Sequence, residues 1–181
     1  MNTLIIIPAF NEEENIGKLL KNISSLETKY NIDVLVINDK STDNTSNICN
    51  IIGVNLIELP CNLGIGGAVQ TGYKFAKLHN YDIAIQVDGD GQHNPEFLDK
   101  LIDKIISENV DLVIGSRYIE NIGFQSSTMS RVGIRYLKWL INLLSGLKIT
   151  DPTSGFRAGN KKTIEVFANS YPKDYPEPES I

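Results

Sequence analysis

Short apolar runs and helical patterns alternate along this chain from its first residues. Each run has strand length and is rich in β-branched residues, and a stretch with apolar positions at helical spacing follows it. The predicted strands cover residues 4–7, 34–37, 54–59, 83–87 and 112–114, and the predicted helices cover residues 16–23, 45–52, 66–78 and 95–106. Repeated β-α-β units require right-handed crossovers and a largely parallel sheet, so we predict an α/β fold. Ligands should bind beyond the carboxyl ends of the strands, in the loops at residues 8–12, 38–44, 88–92 and 115–117.

Length and composition are those of one globular domain. The chain has 181 residues, of which 41% are hydrophobic and 22% charged, and this excludes the fibrous and disordered classes. The longest apolar stretch near the C-terminus, residues 139–147, has half the length of a membrane span. Residues 1–4 show no secretory signal, so we expect a cytoplasmic protein. Cys49 and Cys61 lack the spacing of metal or redox motifs and are expected to be free thiols.

The charge is acidic overall but unevenly distributed. A net charge of −5 argues against nucleic acid as a partner, because phosphate backbones recruit an excess of Lys and Arg. Residues 115–148 nevertheless contain one acid, Glu120, and five basic residues: Arg117, Arg131, Arg135, Lys138 and Lys148. This stretch predicts a local anion-binding site within an acidic protein.

Two carboxylates and an amide follow the fourth predicted strand, in the segment Asp88-Gly89-Asp90-Gly91-Gln92-His93. Alternate residues of an extended turn point the same way. Carboxylate and carbonyl oxygens suit hard cations such as Mg²⁺ or Mn²⁺, which keep coordination positions open for diphosphate oxygens. An acidic turn without a metal is the alternative, because Asp-Gly is a common turn pair.

Two further loops carry candidate binding residues. Asp39 follows the second strand as the last residue before a turn, where it could accept a hydrogen bond from a base N–H or serve the structure alone, while Asp43 or Asn44 could cap the next helix. Phe10 is an aromatic residue in a strand-end loop, where a base or sugar could stack. The acids that follow it, at 12–14, are also explained by the dipole of a helix that begins there.

Glycines cluster in the segment Asn62-Leu63-Gly64-Ile65-Gly66-Gly67, which follows the third strand. It lacks the position and the GxGxxG spacing of a nicotinamide-dinucleotide fingerprint. Its glycines let the backbone approach a ligand, or they serve helix packing alone.

Together these segments resemble glycosyltransferase family 2, whose members have the GT-A fold. Each motif is weak alone, but their joint order and spacing along nearly the whole chain is specific. The matching pieces are Pro8-Ala9-Phe10-Asn11-Glu12, Asn38-Asp39-Lys40-Ser41-Thr42-Asp43, Asn62-Leu63-Gly64-Ile65-Gly66-Gly67, Asp88-Gly89-Asp90-Gly91-Gln92-His93, Gly115-Ser116-Arg117-Tyr118 and Asp151-Pro152-Thr153-Ser154-Gly155-Phe156-Arg157. The fourth and last pieces resemble the branch of dolichyl-phosphate mannose synthases and undecaprenyl-phosphate sugar transferases.

The resemblance implies a Rossmann-like three-layer α/β/α architecture and a nucleotide-diphosphate sugar, UDP- or GDP-linked, as donor. The residues implied at the donor are Pro8, Phe10, Glu12, Asp39 and Gly64. It also implies that Asp88, Asp90 and Gln92 hold Mg²⁺ or Mn²⁺, with Asp88 and Asp90 as the catalytic pair, and that transfer inverts the anomeric centre.

The resemblance to the lipid-phosphate branch further implies a polyprenyl-phosphate acceptor, bound by Arg117, Arg131 and Arg135. Guanidinium groups bind phosphate bidentately, and positions 131 and 135 share one helix face. The apolar positions of the helix predicted at 131–144 fit a peripheral membrane contact or the protein core equally well. A carbohydrate acceptor, or a non-catalytic nucleotide-sugar binding module, is the alternative function.

Two departures from the family pattern affect these expectations. Lys40 stands where the family usually has Gly, which leaves the shape of this loop and the base preference open. The family's catalytic domains also continue beyond the Pro-rich segment at 171–179, so we expect residues 1–181 to be a single catalytic domain cut short at its C-terminus.

Overall fold

A computed structural model describes residues 1–91, 94–115 and 154–170. The strands are β1 (Asn2–Ala9), β2 (Asn31–Asn38), β3 (Asn55–Glu58), β4 (Ile83–Gln86), β5 (Leu112–Ile114) and β6 (Arg157–Asn160). The helices are α1 (Ile16–Ser24), α2 (Thr45–Ile52), α3 (Gly64–Leu78), α4 (Leu98–Glu108, after a 3₁₀ turn at Pro95–Phe97) and α5 (Lys161–Ser170). All the strands and helices predicted within these ranges are present, and no end differs from its predicted position by more than three residues.

The six strands form one sheet in the order β3-β2-β1-β4-β6-β5. β3, β2, β1 and β4 are parallel to one another, as predicted, whereas β6 runs antiparallel between β4 and β5. The sequence analysis did not predict β6, and its first residue, Arg157, was named only as the end of a family motif. Its two buried positions are Ala158 and Gly159, so the strand lacks the apolar run by which strands are recognised.

Side chains of the central strand β1 alternate between two cores. Ile5 and Ile7 pack with α1 and α4 on one face of the sheet, and Leu4 and Ile6 pack with α3 and α5 on the other. The three-layer α/β/α architecture is therefore confirmed for the described residues. No helix among these residues combines the length and the apolarity required to cross a bilayer. That residues 1–181 form a single truncated domain stays a prediction.

The two cysteines are free thiols, as predicted, and they differ sharply in exposure. Cys61 is exposed, while Cys49 is fully buried in α2. Burial, with a smaller contribution from the negative charge of Glu58, raises the pKa of the Cys49 thiol to about 11. The thiolate is the reactive form, so Cys49 should be inert at neutral pH.

We expect a disulfide-exchange thiol reagent at pH 8 to label Cys61 alone in the folded protein and both cysteines in denaturant. Cys61→Ser should remove all labelling of the folded chain. Prompt labelling of Cys49 in that variant under native conditions would contradict the packing of α2 against the sheet.

Candidate active site

The carboxyl ends of β1, β2 and β4 lie at one edge of the sheet, and three of the predicted loops meet there. The backbone N–H of Asp39 donates to the carbonyl oxygen of Ala9 (2.9 Å), which joins the β2 loop to the β1 loop. A methyl group on Gly89 would lie 3.0 Å from the carbonyl oxygen of Pro8, so the β4 loop packs directly against the β1 loop. Of the fourth predicted loop, the structure describes Gly115 alone.

Asp39 is 3% exposed and has both a structural contact and a free acceptor atom. Its Oδ1 accepts a hydrogen bond from the backbone N–H of Leu63 (2.7 Å), next to the start of α3. No hydrogen bond from another described residue reaches its Oδ2. The carboxylate therefore stabilises the loop at 59–63 through one of its two oxygens.

Gly64 begins α3 with a φ of +71°, a conformation that favours glycine. Its N–H donates to Oδ1 of Asn62 (2.9 Å). No described atom lies within 4 Å of the position that a Cβ would take, so helix packing does not explain this glycine. Gly64 follows Leu63, whose N–H binds Asp39, so this open position lies next to the Asp39 carboxylate in the chain of contacts.

Asn11 holds the β1 loop against the β2 loop. Its N–H donates to Oγ of Ser41 (2.9 Å), and its Oδ1 accepts from the N–H of Thr42 (2.8 Å). Asn11 has a φ of +56°. Phe10, beside this link, is 44% exposed, so its predicted role in stacking on a base or sugar stays a prediction.

Lys40 keeps the backbone conformation of the glycine that the family usually has at this position. Its φ is +65°, and its side chain is exposed. The left-handed conformation costs a non-glycine residue about 1–2 kcal/mol. The loop therefore retains the glycine-type shape at an energetic cost.

We expect Lys40→Gly to raise the free energy of unfolding by about 0.5–1 kcal/mol, because the relieved strain exceeds the added chain entropy of glycine. Lys40→Ala keeps the strain and should not stabilise. Urea unfolding of both variants measures the difference, and equal stability of the Gly and Ala variants would contradict the strained backbone.

Asp43 connects the start of α2 to the β1 loop. Its Oδ1 accepts from the N–H (3.0 Å) and the hydroxyl (2.6 Å) of Thr45, and its Oδ2 accepts from the N–H of Glu13 (3.0 Å). Burial alone would raise the pKa of Asp43, but these hydrogen bonds outweigh it and lower the pKa. The predicted capping role therefore belongs to Asp43, while the Asn44 side chain donates instead to Glu13 (3.0 Å).

Glu12 lies in a turn before α1. The helix begins at Ile16, so the explanation of the Glu run as its first turn is wrong. The Glu12 N–H donates to Oγ1 of Thr45 (2.8 Å), and its Oε2 accepts from Nδ2 of Asn15 (3.1 Å). A methyl group on Gly89 would lie 3.3 Å from Cγ of Glu12, which places this side chain beside the acidic loop after β4.

Asp88 and Asp90 follow β4 at the same edge, and both are half-buried. Oδ1 of Asp88 accepts a hydrogen bond from Nε2 of Gln86 (3.1 Å), a buried side chain at the end of β4. Gly91 turns the chain with a φ of +73°. Asp90 lies on the wall of a cleft of about 380 Å³ between α1 and the segment that leads into α4.

This donor set suits a hard divalent cation. Two carboxylates separated by one residue supply hard, anionic oxygens, which Mg²⁺ and Mn²⁺ prefer. The described residues contain no cluster of three or more His, Cys, Asp or Glu side chains around a common point. Mg²⁺ sites commonly use one or two carboxylates and leave the other positions to waters and substrate phosphates, so two described carboxylates suffice for such a site.

Several predicted site residues lie outside the described residues: Gln92, Arg117, Arg131 and Arg135, together with the helix predicted at 131–144. Their roles stay predictions. Conversely, two described residues at Asp88 had no role in the sequence analysis. Gln86 was assigned only to a strand, and Gly155 only to a family motif. The contact between Gly155 and Asp88 leaves no local pattern in the sequence, and neither does the strand that follows Gly155.

Residues 4–167 match the family model described as Glycosyl transferase family 2, and the chain belongs to that family. A UDP-N-acetylglucosamine–dolichyl-phosphate N-acetylglucosaminyltransferase of Methanococcus voltae is 34% identical over 91% of this chain and 71% of its own length. An undecaprenyl-phosphate mannosyltransferase of Micrococcus luteus is 31% identical over 92% of this chain and 69% of its own length. The resemblance to the branch that transfers sugars to polyprenyl phosphates is thereby confirmed.

The solved structures confirm the GT-A fold. Glucosyl-3-phosphoglycerate synthase of Mycobacterium tuberculosis, solved with UDP, superposes with a TM-score of 0.68 at 21% identity, over 89% of this chain and 57% of its own. The same enzyme has also been solved with Mn²⁺, UDP and phosphoglyceric acid. An uncharacterized protein of Methanocaldococcus jannaschii is 37% identical, and this chain spans 63% of its length. The chain thus covers little more than half of several proteins that it resembles.

Proposed function

We propose that this chain carries the donor-binding part of a glycosyltransferase that moves a sugar from a UDP- or GDP-sugar to a polyprenyl phosphate, with Mg²⁺ or Mn²⁺ as cofactor. The observation that carries the proposal is the placement of Asp39, Asp88 and Asp90 at one sheet edge in a chain of glycosyltransferase family 2. Relatives named for dolichyl-phosphate and undecaprenyl-phosphate acceptors favour the lipid phosphate over a carbohydrate.

The donor's base would lie at the β1 and β2 loops. Oδ2 of Asp39 can accept a hydrogen bond from a base N–H, while Oδ1 remains bonded to Leu63. Exposed Phe10 can stack on the base or ribose. The open backbone at Gly64 allows close approach of the ribose or diphosphate.

The diphosphate would lie at Asp88 and Asp90, whose carboxylates hold the cation. When bound, the cation neutralises charge that develops on the leaving diphosphate. An acceptor phosphate is already anionic near pH 7, so it needs positioning more than deprotonation. Its oxygen would attack the anomeric carbon opposite the diphosphate as the bond to the diphosphate breaks, which inverts that centre. Arg117, Arg131 and Arg135 are the predicted phosphate-binding residues, and transfer would take place at a membrane surface.

Nucleotide-dependent thermal stabilisation tests the donor half of this proposal. Melting of the chain is measured with UDP, GDP, UDP-glucose and GDP-mannose, each with and without Mn²⁺. A ligand at about 100 times its dissociation constant stabilises by about 2.7 kcal/mol, so a metal-dependent increase in Tm with one base is the expected result. The absence of stabilisation by every nucleotide would overturn the donor assignment.

Transfer to a short polyprenyl phosphate tests the acceptor half. We expect the double variant Arg131→Ala/Arg135→Ala to lose transfer to the lipid phosphate while it keeps nucleotide binding. Unchanged transfer would reject the arginine assignment. Transfer to a sugar hydroxyl but not to the lipid phosphate would favour a carbohydrate acceptor, and binding without any transfer would favour a nucleotide-sugar binding module.

A further inference from the structure

Gly155 lies directly against the carboxylate of Asp88. A methyl group on its Cα would overlap both carboxylate oxygens and Cγ of Asp88. The φ of Gly155 is outside the left-handed region, so alanine is compatible with its backbone. Glycine is therefore required here by the space that Asp88 occupies and not by backbone conformation.

The segment that brings Gly155 to this place is firmly anchored. Ser154 is fully buried, and its hydroxyl donates to the carbonyl oxygen of Gly115 (2.6 Å) and accepts from the N–H of Phe156 (3.2 Å). The N–H of Gly115 in turn donates to the carbonyl oxygen of Phe156 (2.8 Å). The ring of Phe156 is 5% exposed and fills the space where Gly115 would carry a side chain. This backbone cannot easily retreat from Asp88.

Asp88 is held from a second direction by its own strand. Gln86 is 3% exposed and donates to Oδ1 of Asp88, and in the sheet register Gln86 pairs with Arg157 of β6. The carboxylate thus lies between an amide of β4 and the backbone that enters β6. A carboxylate confined from two sides loses little rotational freedom when it binds a cation, and such supporting contacts commonly change metal affinity about 10- to 100-fold.

We propose that Gly155 is a positioning residue for Asp88, which sets the carboxylate at the place where the cation and the donor diphosphate bind. The identity of the ligand in this inference rests on the proposed function, whereas the contact between Gly155 and the Asp88 carboxylate does not depend on it.

The first test measures Mn²⁺ affinity by electron paramagnetic resonance of free Mn²⁺, using the full chain with the nucleotide that stabilises it. Gly155→Ala should weaken Mn²⁺ binding about 10- to 100-fold, because the methyl group displaces the Asp88 carboxylate. Gly159→Ala is the matched control: Gly159 lies in β6, which begins two residues after Gly155, and its methyl group would overlap the side chain of Thr163 instead. It should leave the Mn²⁺ affinity unchanged.

The second test is a double-variant cycle on thermal stability without metal or nucleotide. Gly155→Ala should lower Tm in the parent chain but not in an Asp88→Ala background, where the overlapping carboxylate is gone. An equal decrease in both backgrounds would overturn the contact.

Equal weakening of Mn²⁺ binding by Gly155→Ala and Gly159→Ala, or no weakening by either, would overturn the positioning role while the proposed function stands. If the parent chain binds no Mn²⁺ with any nucleotide, the proposed function and the positioning role both fail, and the cycle then tests the contact alone.

Discussion

Asp90→Ala is expected to remove the metal-dependent part of nucleotide binding and to reduce sugar transfer on the order of 1,000-fold. Asp88 and Asp90 are the only carboxylates that directly follow β4, and neither has a replacement among the described residues of that loop. A bound cation supplies several kcal/mol of stabilisation to the charge that develops on the leaving diphosphate, and about 1.4 kcal/mol corresponds to a tenfold change in rate.

The measurement is the increase in Tm that Mn²⁺ adds to the increase produced by nucleotide alone. It should be lost in Asp90→Ala, because the Asp90 side chain lies half-buried at the wall of the cleft after β4. Glu96→Ala is a control with the same loss of charge, on an exposed side chain of the 3₁₀ turn that follows. A variant at Asp90 that responds to Mn²⁺ as the parent does would refute the metal site.

Asp39→Asn is expected to weaken nucleotide binding about 10- to 100-fold, to the same extent with and without Mn²⁺. Asparagine can keep the hydrogen bond from the N–H of Leu63 through its Oδ1 but presents an NH₂ group where Oδ2 lies. A hydrogen bond to a charged group contributes about 1.5–3 kcal/mol, which is the source of that factor.

Asp39→Ala separates recognition from stability. It removes both functions of the carboxylate and leaves the Leu63 N–H without its partner, so its free energy of unfolding should decrease by about 1–3 kcal/mol. Asp39→Asn should retain most of the parent stability. Titration calorimetry with the preferred nucleotide and urea unfolding measure the two quantities, and parent-like affinity in the Asn variant would show that Asp39 has a structural role only.

The surroundings of Asp88 were only partly predictable from the sequence. The acidic pair was predictable because it follows an apolar strand, and such strand ends are where α/β proteins bind ligands. The contact between Asp88 and Gly155 joins residues 67 positions apart in the sequence. It depends on the antiparallel strand β6, whose buried residues are Ala and Gly. No local sequence pattern predicts that strand or the strands with which it pairs.

The sequence by itself determined the elements whose signals are local. The apolar runs of β1, β2 and β4 predict those strands, because a strand buried between two layers of helices is apolar on both faces. The helical spacing of apolar residues predicts α1, because a helix that packs on a sheet has one apolar face. The order of the motifs along the chain identified the family, which the comparison confirms.

Only the tertiary structure decided which of these residues act on one another. It placed β6 antiparallel inside the sheet, made Asp43 rather than Asn44 the cap of α2, and joined one oxygen of Asp39 to the backbone N–H of Leu63. It also showed that Lys40 adopts a backbone conformation suited to glycine. The physical reason is the same in each case: hydrogen bonding and steric exclusion between distant segments depend on distances that arise when the chain packs.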